Sequence, residues 1–143
     1  VSLARIVLTG SRTWPAPQLL EDVLLDTWHD AVQDGHAGIL LTHGACDTGA
    51  DHIGDTWAHR HGVARDPHPA DWVGPCGPDC PPGHRKQARG REYCPRAGHR
   101  RNQEMIYLQP VLVIAAHHQQ SRGTADCLRR AHQAGIPTRV ITT

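Results

Sequence analysis

Cys76, Cys80, His84 and Cys94 stand in a C-x3-C-x3-H-x9-C arrangement within the stretch CGPDCPPGHRKQARGREYC. Three thiols and an imidazole are donors that zinc takes in tetrahedral structural sites, and glycine and proline turns let a short chain fold back around one ion. The segment from Gly74 to Gly98 is rich in Pro, Gly, Cys and Arg and has no apolar period. It cannot build a core of its own, so a bound metal would have to stabilise it. The spacing predicts a structural zinc on Cys76, Cys80, His84 and Cys94. His99 competes for the fourth position, but it falls in the first turn of the next helix, whereas His84 lies inside the loop. The alternative is a loop of reduced thiols. Cys46 and Cys127 stand apart and read as small buried thiols.

Other residues able to bind a ligand sit in short segments that follow apolar runs. Gly10, Ser11 and Arg12 supply a hydroxyl and a guanidinium, and arginine can donate two parallel hydrogen bonds to a phosphate. "HGACDTGAD" at 43 to 51 puts Gly44 and Gly49 where backbone can approach a ligand closely, beside the unsatisfied N–H groups of a helix start. Asp47 and Asp51 bring negative charge to the same turn. Asp51 reads either as favouring the helix start or as accepting a ribose or other hydroxyl. "SRGTAD" at 121 to 126 repeats the arrangement. Trp72 in "HPADW" reads as a packed residue beneath the insertion or as a stacking platform for a base.

These segments need elements to bring them together. "ARIVLT", "AGILLTH", "VLVIAA" and "TRVIT" read as strands, and "VARDPHPADW" as a short third strand before its prolines. Leu20, Val23, Leu24, Trp28 and Ala31 recur at helical spacing up to Gly35. Ala50, Ile53, Trp57 and His61 form one side of a second helix closed by Gly62. A third helix directs Met105 and Leu108 inward, and a fourth runs from about Thr124 to Ala134. The pairs His117–His118 and His59–His61 lack a metal-enzyme pattern and are expected at the surface. Alternating strands and helices imply an α/β fold with a parallel sheet covered on both faces. Ligands of such sheets bind beyond the carboxyl ends of the strands, where strand order reverses.

The 143 residues fit one domain, 1–143, with 74–98 inserted in it. With no Phe, the core falls to Leu, Val, Ile, Ala and four Trp. The run in "VSLARIVLTG" is too short for a membrane span or a secretory segment, which predicts a cytoplasmic protein with reduced thiols. The net charge of +1 hides an asymmetry. Residues 85 to 101 carry seven cations against Glu92 alone, leaving eight cations against thirteen anions elsewhere. This favours an anionic ligand near that segment, the plainer reading being a solvated basic loop.

The pieces "VLTGSR", "HGACDTGAD", "HPADW", "RNQEM" and "SRGTAD", in this order, resemble the SLOG superfamily of Rossmann-like proteins, and within it the YspA, cpYpsA-related branch of bacteria and phages. The resemblance implies a doubly wound parallel sheet of about five strands in the order 3-2-1-4-5. It also implies a nucleotide or nucleotide-derived ligand on Gly10, Ser11, Arg12, Gly44, Gly49, Asp51, Arg101, Asn102, Gly123 and Thr124. His43, Ala50, Ser121 and Arg122 lie in the same motifs and are taken with them, and assembly into a homo-oligomer is implied as well. Phosphoribohydrolases of the superfamily resemble "PGGxGTxxE" at the last motif. Here Cys127 stands in place of that glutamate and Asp126 falls one residue early.

The first reading is therefore a protein that binds or senses a nucleotide-type ligand. Arg12 and Arg101 would hold phosphate, amides near Gly44, Gly49 and Gly123 would complete the cradle, and the zinc insertion would close over or beside it. One alternative is hydrolysis of a nucleotide's N-glycosidic bond, with Asp51 or Asp126 as the carboxylate. Another is nucleic-acid binding through the basic insertion, with steep salt dependence.

Overall fold

Successive residues of the first strand, β1 (Ala4–Gly10), face opposite layers, and both layers are apolar. Ile6 and Leu8 enter a core with α1 (Pro17–Gln33) and α2 (Gly49–His61), whereas Val7 enters a second core with α3 (Ala97–Tyr107) and α4 (Arg122–Gln133). In β6 (Leu112–His117), Ile114 and Ala116 join the first core and Val113 the second. A strand that is apolar on both sides must be covered on both sides, so two helices pack on each face. Full burial of each large aliphatic side chain contributes about 1.5–3 kcal/mol. The computed structural model describes residues 2–143.

With β2 (Ile39–His43), β3 (Ala64–Pro67) and β7 (Thr138–Thr142), the sheet has five parallel strands in the order β3-β2-β1-β6-β7. This is the expected 3-2-1-4-5 arrangement once the insertion's own strands are set aside. The chain steps outward from β1 to β3 and then returns to β6 beside β1, so strand order reverses between β1 and β6. Ile6 to Gly10 pair with Leu112 to Ala116, and the Ser11 N–H extends the ladder onto the Ala116 carbonyl at 3.0 Å.

Local signals fix the helix ends. Pro17 opens α1, where its missing N–H costs nothing. Gly62 ends α2 in the left-handed conformation at φ 66°. Two inward assignments differ from expectation. Leu108 is 40% exposed because α3 ends at Tyr107, and Ile106 takes the buried place beside Met105. His61 is exposed in the last turn of α2, although its ring still packs on Trp57 with centroids 5.2 Å apart.

The insertion, where no apolar period exists, forms an antiparallel hairpin of β4 (Lys86–Ala88) and β5 (Arg91–Tyr93). Arg89 and Gly90, at φ 52° and 75°, make its two-residue turn, the type I′ geometry that matches strand twist. Both strands are too short and too exposed to leave a pattern. Among the described residues no helix is long and apolar enough to cross a membrane.

Candidate functional site

The loop after β1 is built by Ser11. Its Oγ lies 3.0 Å from Thr13 Oγ1 and accepts the Thr13 N–H at 3.2 Å, while its carbonyl accepts the Ala50 N–H at 3.0 Å. The first turn of α2 thus docks on the β1 loop. Gly49 allows that approach: its φ is +73°, and a Cβ there would lie 2.5 Å from the Arg12 carbonyl carbon. Gly49 and Ala50 consequently support the loop from behind and do not line the cavity in front of it.

The β2 loop is shaped by His43, which is buried. Its Nδ1 accepts the Ala45 N–H at 3.0 Å, so Nε2 carries the proton and donates to Asp55 Oδ1 at 2.8 Å. His43 borders a different hollow, on the β3 side. Next to it, Arg101 of α3 donates from Nη1 to the Gly44 carbonyl at 2.5 Å and to the His68 carbonyl at 3.2 Å, and from Nε to Asn102 Oδ1 at 3.1 Å. A Cβ at residue 44 would lie 2.6 Å from the guanidinium carbon, so glycine there makes room for Arg101. Arg101, expected on phosphate, thus ties two strand-end loops together; among the described residues only its Nη2 has no partner.

Asn102 is 3% exposed and joins α3 to α4, donating from Nδ2 to the Gly123 carbonyl at 3.2 Å and to Asp126 Oδ2 at 3.1 Å. Asp126 also accepts from Arg130 Nε at 2.9 Å and from Arg129. Burial works against its charge, but Arg130 and Asn102 outweigh it and hold the carboxyl below the ordinary range. Ser121 caps α4, its Oγ accepting the Thr124 N–H at 3.4 Å. The N–H groups of Arg122 and Gly123, at the first two helical positions, have no acceptor within the helix.

These loops enclose a cavity of about 390 Å³ at the carboxyl edge of the sheet, over the β1–β6 reversal. Of the residues expected from sequence, Gly10, Ser11, Arg12, Gly44, Asp51, Trp72, Arg101, Asn102, Ser121, Gly123 and Thr124 all line it. Exposed Arg122 does not, and neither do Gly49, Ala50 and His43. Thr9, Thr13, Cys46, His99, His118 and Gln119 line it without having been singled out as ligand-binding. His118, expected at the surface, is half-buried in the cavity wall and stands edge-on to Trp14. Its place directly after a buried strand was the available signal.

Asp51 is the unusual group in the wall. It does not cap its own helix; Oδ2 accepts the Cys46 N–H at 3.3 Å, and buried Oδ1 has no hydrogen-bond partner. Burial raises its pKa, against the pull of His43, the Cys46 amide and Arg101. Cys127 is wholly buried behind the cavity and its thiol is pushed up to about 11, chiefly by burial, as suits an inert core residue.

Cys76, Cys80, His84 and Cys94 converge, with one donor atom from each within 4.8 Å of the others. Cys80 and Cys94 sulfurs are 3.7 Å apart, and His84 Nε2 lies 3.1 Å from Cys76 Sγ and 3.4 Å from Cys94 Sγ. A tetrahedron with metal–sulfur bonds of about 2.3 Å has edges of about 3.8 Å, so the donor set fits a metal ion. Arg85 donates to Cys76, and Arg100 to Cys80 at 3.4 Å and Cys94 at 3.3 Å, positive groups that would balance metal-bound thiolates. Burial opposes ionisation of Cys94, yet the hydrogen bond from Arg100 and the backbone at Arg96 lower it to about 6. His99 is not part of this group; it lines the strand-end cavity.

A family profile described as "YspA, cpYpsA-related SLOG family" matches residues 4–73, from β1 to just past Trp72. The chain is also 31% identical over 140 residues to the Gene 61 protein of Mycobacterium phage D29, covering 94% of each chain. The chain belongs to the YspA, cpYpsA-related SLOG family. The profile stops short of Cys76, so the part of the SLOG domain that it describes is the half that carries Gly10 to Arg12, Gly44 and Asp51. The metal-ligand cluster lies beyond it, between β3 and α3 of the SLOG sheet.

Proposed function

We propose that this SLOG protein binds a nucleotide or nucleotide-derived phosphorylated ligand in the strand-end cavity and carries a structural zinc ion in its insertion. One observation carries the first part. Arg12, free of any ion pair among the described residues, and the open N-terminus of α4 line the same cavity as a buried carboxyl with an unpartnered oxygen. Guanidinium and helix N–H groups suit phosphate. A protonated or hydroxyl-bearing ligand group would satisfy Asp51 Oδ1, and Trp72 offers an aromatic face at the cavity's edge. Three thiols and an imidazole favour zinc over harder cations, and assembly into a homo-oligomer goes with the family resemblance.

The test is native mass spectrometry of the purified protein for zinc and co-purifying nucleotide, followed by calorimetric titration with nucleoside mono- and diphosphates. Micromolar binding that Arg12→Ala weakens about tenfold is the expected result. Absence of binding by every nucleotide, with zinc present, overturns the reading.

Asp51 also favours a second reading, hydrolysis of a nucleotide's N-glycosidic bond. A carboxyl whose pKa is raised by burial is the kind of group that serves as a general acid. Base release from nucleoside monophosphates that disappears in Asp51→Asn would support it. Tight binding without release removes it.

A further inference from the structure

A second hollow of about 430 Å³ adjoins the strand-end cavity and shares with it Arg12, Gly44, Cys46, Trp72 and Arg101. Its outer wall is Arg89, at the tip of the β4–β5 hairpin and more than ten residues from either arginine in sequence. Three arginines therefore line one hollow, with Asp47 as the opposing charge. Among the described residues neither Arg12 nor Arg89 makes an ion pair, so both charges are available to a guest.

The hairpin's position is set by the metal-ligand cluster. His84 lies two residues before β4 and Cys94 directly follows β5. Arg85 anchors the entry through Cys76 Sγ and the Gly74 carbonyl, at 2.9 Å to the latter. The Cys94 N–H donates to the Trp72 carbonyl at 2.8 Å, and Tyr93 meets the Trp72 ring edge-on. On the far side, Arg100 reaches the sulfurs while its neighbour Arg101 holds the Gly44 carbonyl. The cluster is thus connected by short, named contacts to both walls of the hollow.

We propose that Arg89 is a ligand-binding residue carried to the site by the metal-held hairpin, that the hollow takes the further phosphate of a ligand with more than one, and that metal occupancy sets ligand affinity. This rests on the reading of the strand-end cavity as a phosphate site. Without the metal, the hairpin loses its two fixed ends, and Arg89 no longer lines the hollow together with Arg12. A ligand with a single phosphate on Arg12 and the α4 amides is much less affected. The body therefore binds, and the insertion discriminates by phosphate count.

The experiment is calorimetric titration of inorganic phosphate and inorganic pyrophosphate into the full chain, as wild type, R89N and R12A, each zinc-loaded and after zinc removal. R89N deletes the charge and leaves Asn-Gly, the favoured type I′ pair, so the turn survives. Zinc content by native mass spectrometry and far-ultraviolet circular dichroism verify that each loaded variant is intact. The expected result is a pyrophosphate affinity about tenfold lower in R89N, with phosphate changed less than about threefold. Zinc removal weakens pyrophosphate in the wild type at least as much and abolishes the difference between wild type and R89N. Wild-type affinity in zinc-loaded R89N overturns the proposal, as does an R89N deficit that persists undiminished without zinc. If R12A weakens both anions while R89N weakens neither, the phosphate site stands and the role of Arg89 falls. If neither anion binds the wild type, the phosphate reading falls and takes this proposal with it.

Discussion

The sheet body and the insertion solve the problem of being folded by different means. The body buries Ile6, Leu8, Leu41, Trp57 and Ile114 almost completely and has two apolar layers. The insertion has mostly exposed side chains, and it is gathered around four donor atoms that could hold a metal ion, two arginines beside them and a three-residue ladder. In the body many weak contacts share the load, whereas in the insertion few contacts carry it and a bound metal would strengthen them. Mutations should accordingly have separable effects in the two regions.

The largest effect is expected from Trp57→Ala, which opens the core between α1, α2 and the sheet and should cost about 3–5 kcal/mol. Thermal denaturation would report it, and native mass spectrometry would find zinc still bound to the folded fraction. The mirror experiment is Cys80→Ser. It should abolish stoichiometric zinc and expose the hairpin to hydrogen exchange, while β1, β2 and β6 stay protected and the melting temperature falls by less than in Trp57→Ala. Equal loss of protection in both regions would break the comparison.

Two buried aspartates sharpen it further. Asp126 is fully partnered, and its folded pKa is depressed. It stabilises the protein above its unfolded pKa, and that contribution is lost as pH falls through the lower folded value. Asp126→Asn should cost about 1–3 kcal/mol at neutral pH, with the gap to wild type closing on acidification. Asp51 is the reverse case. Its folded pKa is raised, so its protonated form favours the fold, and this advantage is lost as pH rises through the raised value. Asp51→Asn should be more stable than wild type at neutral pH, with the difference vanishing as pH falls below the unfolded carboxylate range. Both are checked by denaturant titration across pH. The smallest effect belongs to Arg60→Ala, which breaks the exposed pair with Glu21; a change within about 0.5 kcal/mol is expected from the same titration.

Most of the sheet could be read from the sequence because buried parallel strands are continuous apolar runs bounded by Gly and Pro. The strand-end rule points to most of the residues that line the cavity. It failed where a residue's job is to hold another. Gly49, Ala50 and His43 sit in the right motif but support the loops from behind, a distinction set by backbone contacts that no spacing encodes. Arg101 was expected on phosphate and is largely committed to carbonyls of Gly44 and His68. In the insertion the convergence of Cys76, Cys80, His84 and Cys94 could be read from chemistry and spacing, and the hairpin between His84 and Cys94 could not, because strands of three mostly exposed residues carry no period.

The backbone bond from Cys94 to Trp72 has an evolutionary corollary. The excursion of residues 73 to 93 leaves and re-enters the body at neighbouring points, so it can be exchanged for a short turn without stretching the β3–α3 connection. Kin with a trimmed excursion would retain the nucleus of the sheet and Arg12, yet forfeit Arg89 together with three of the four metal donors. On the proposed role of Arg89, such kin would keep the single-phosphate site and lose the second one.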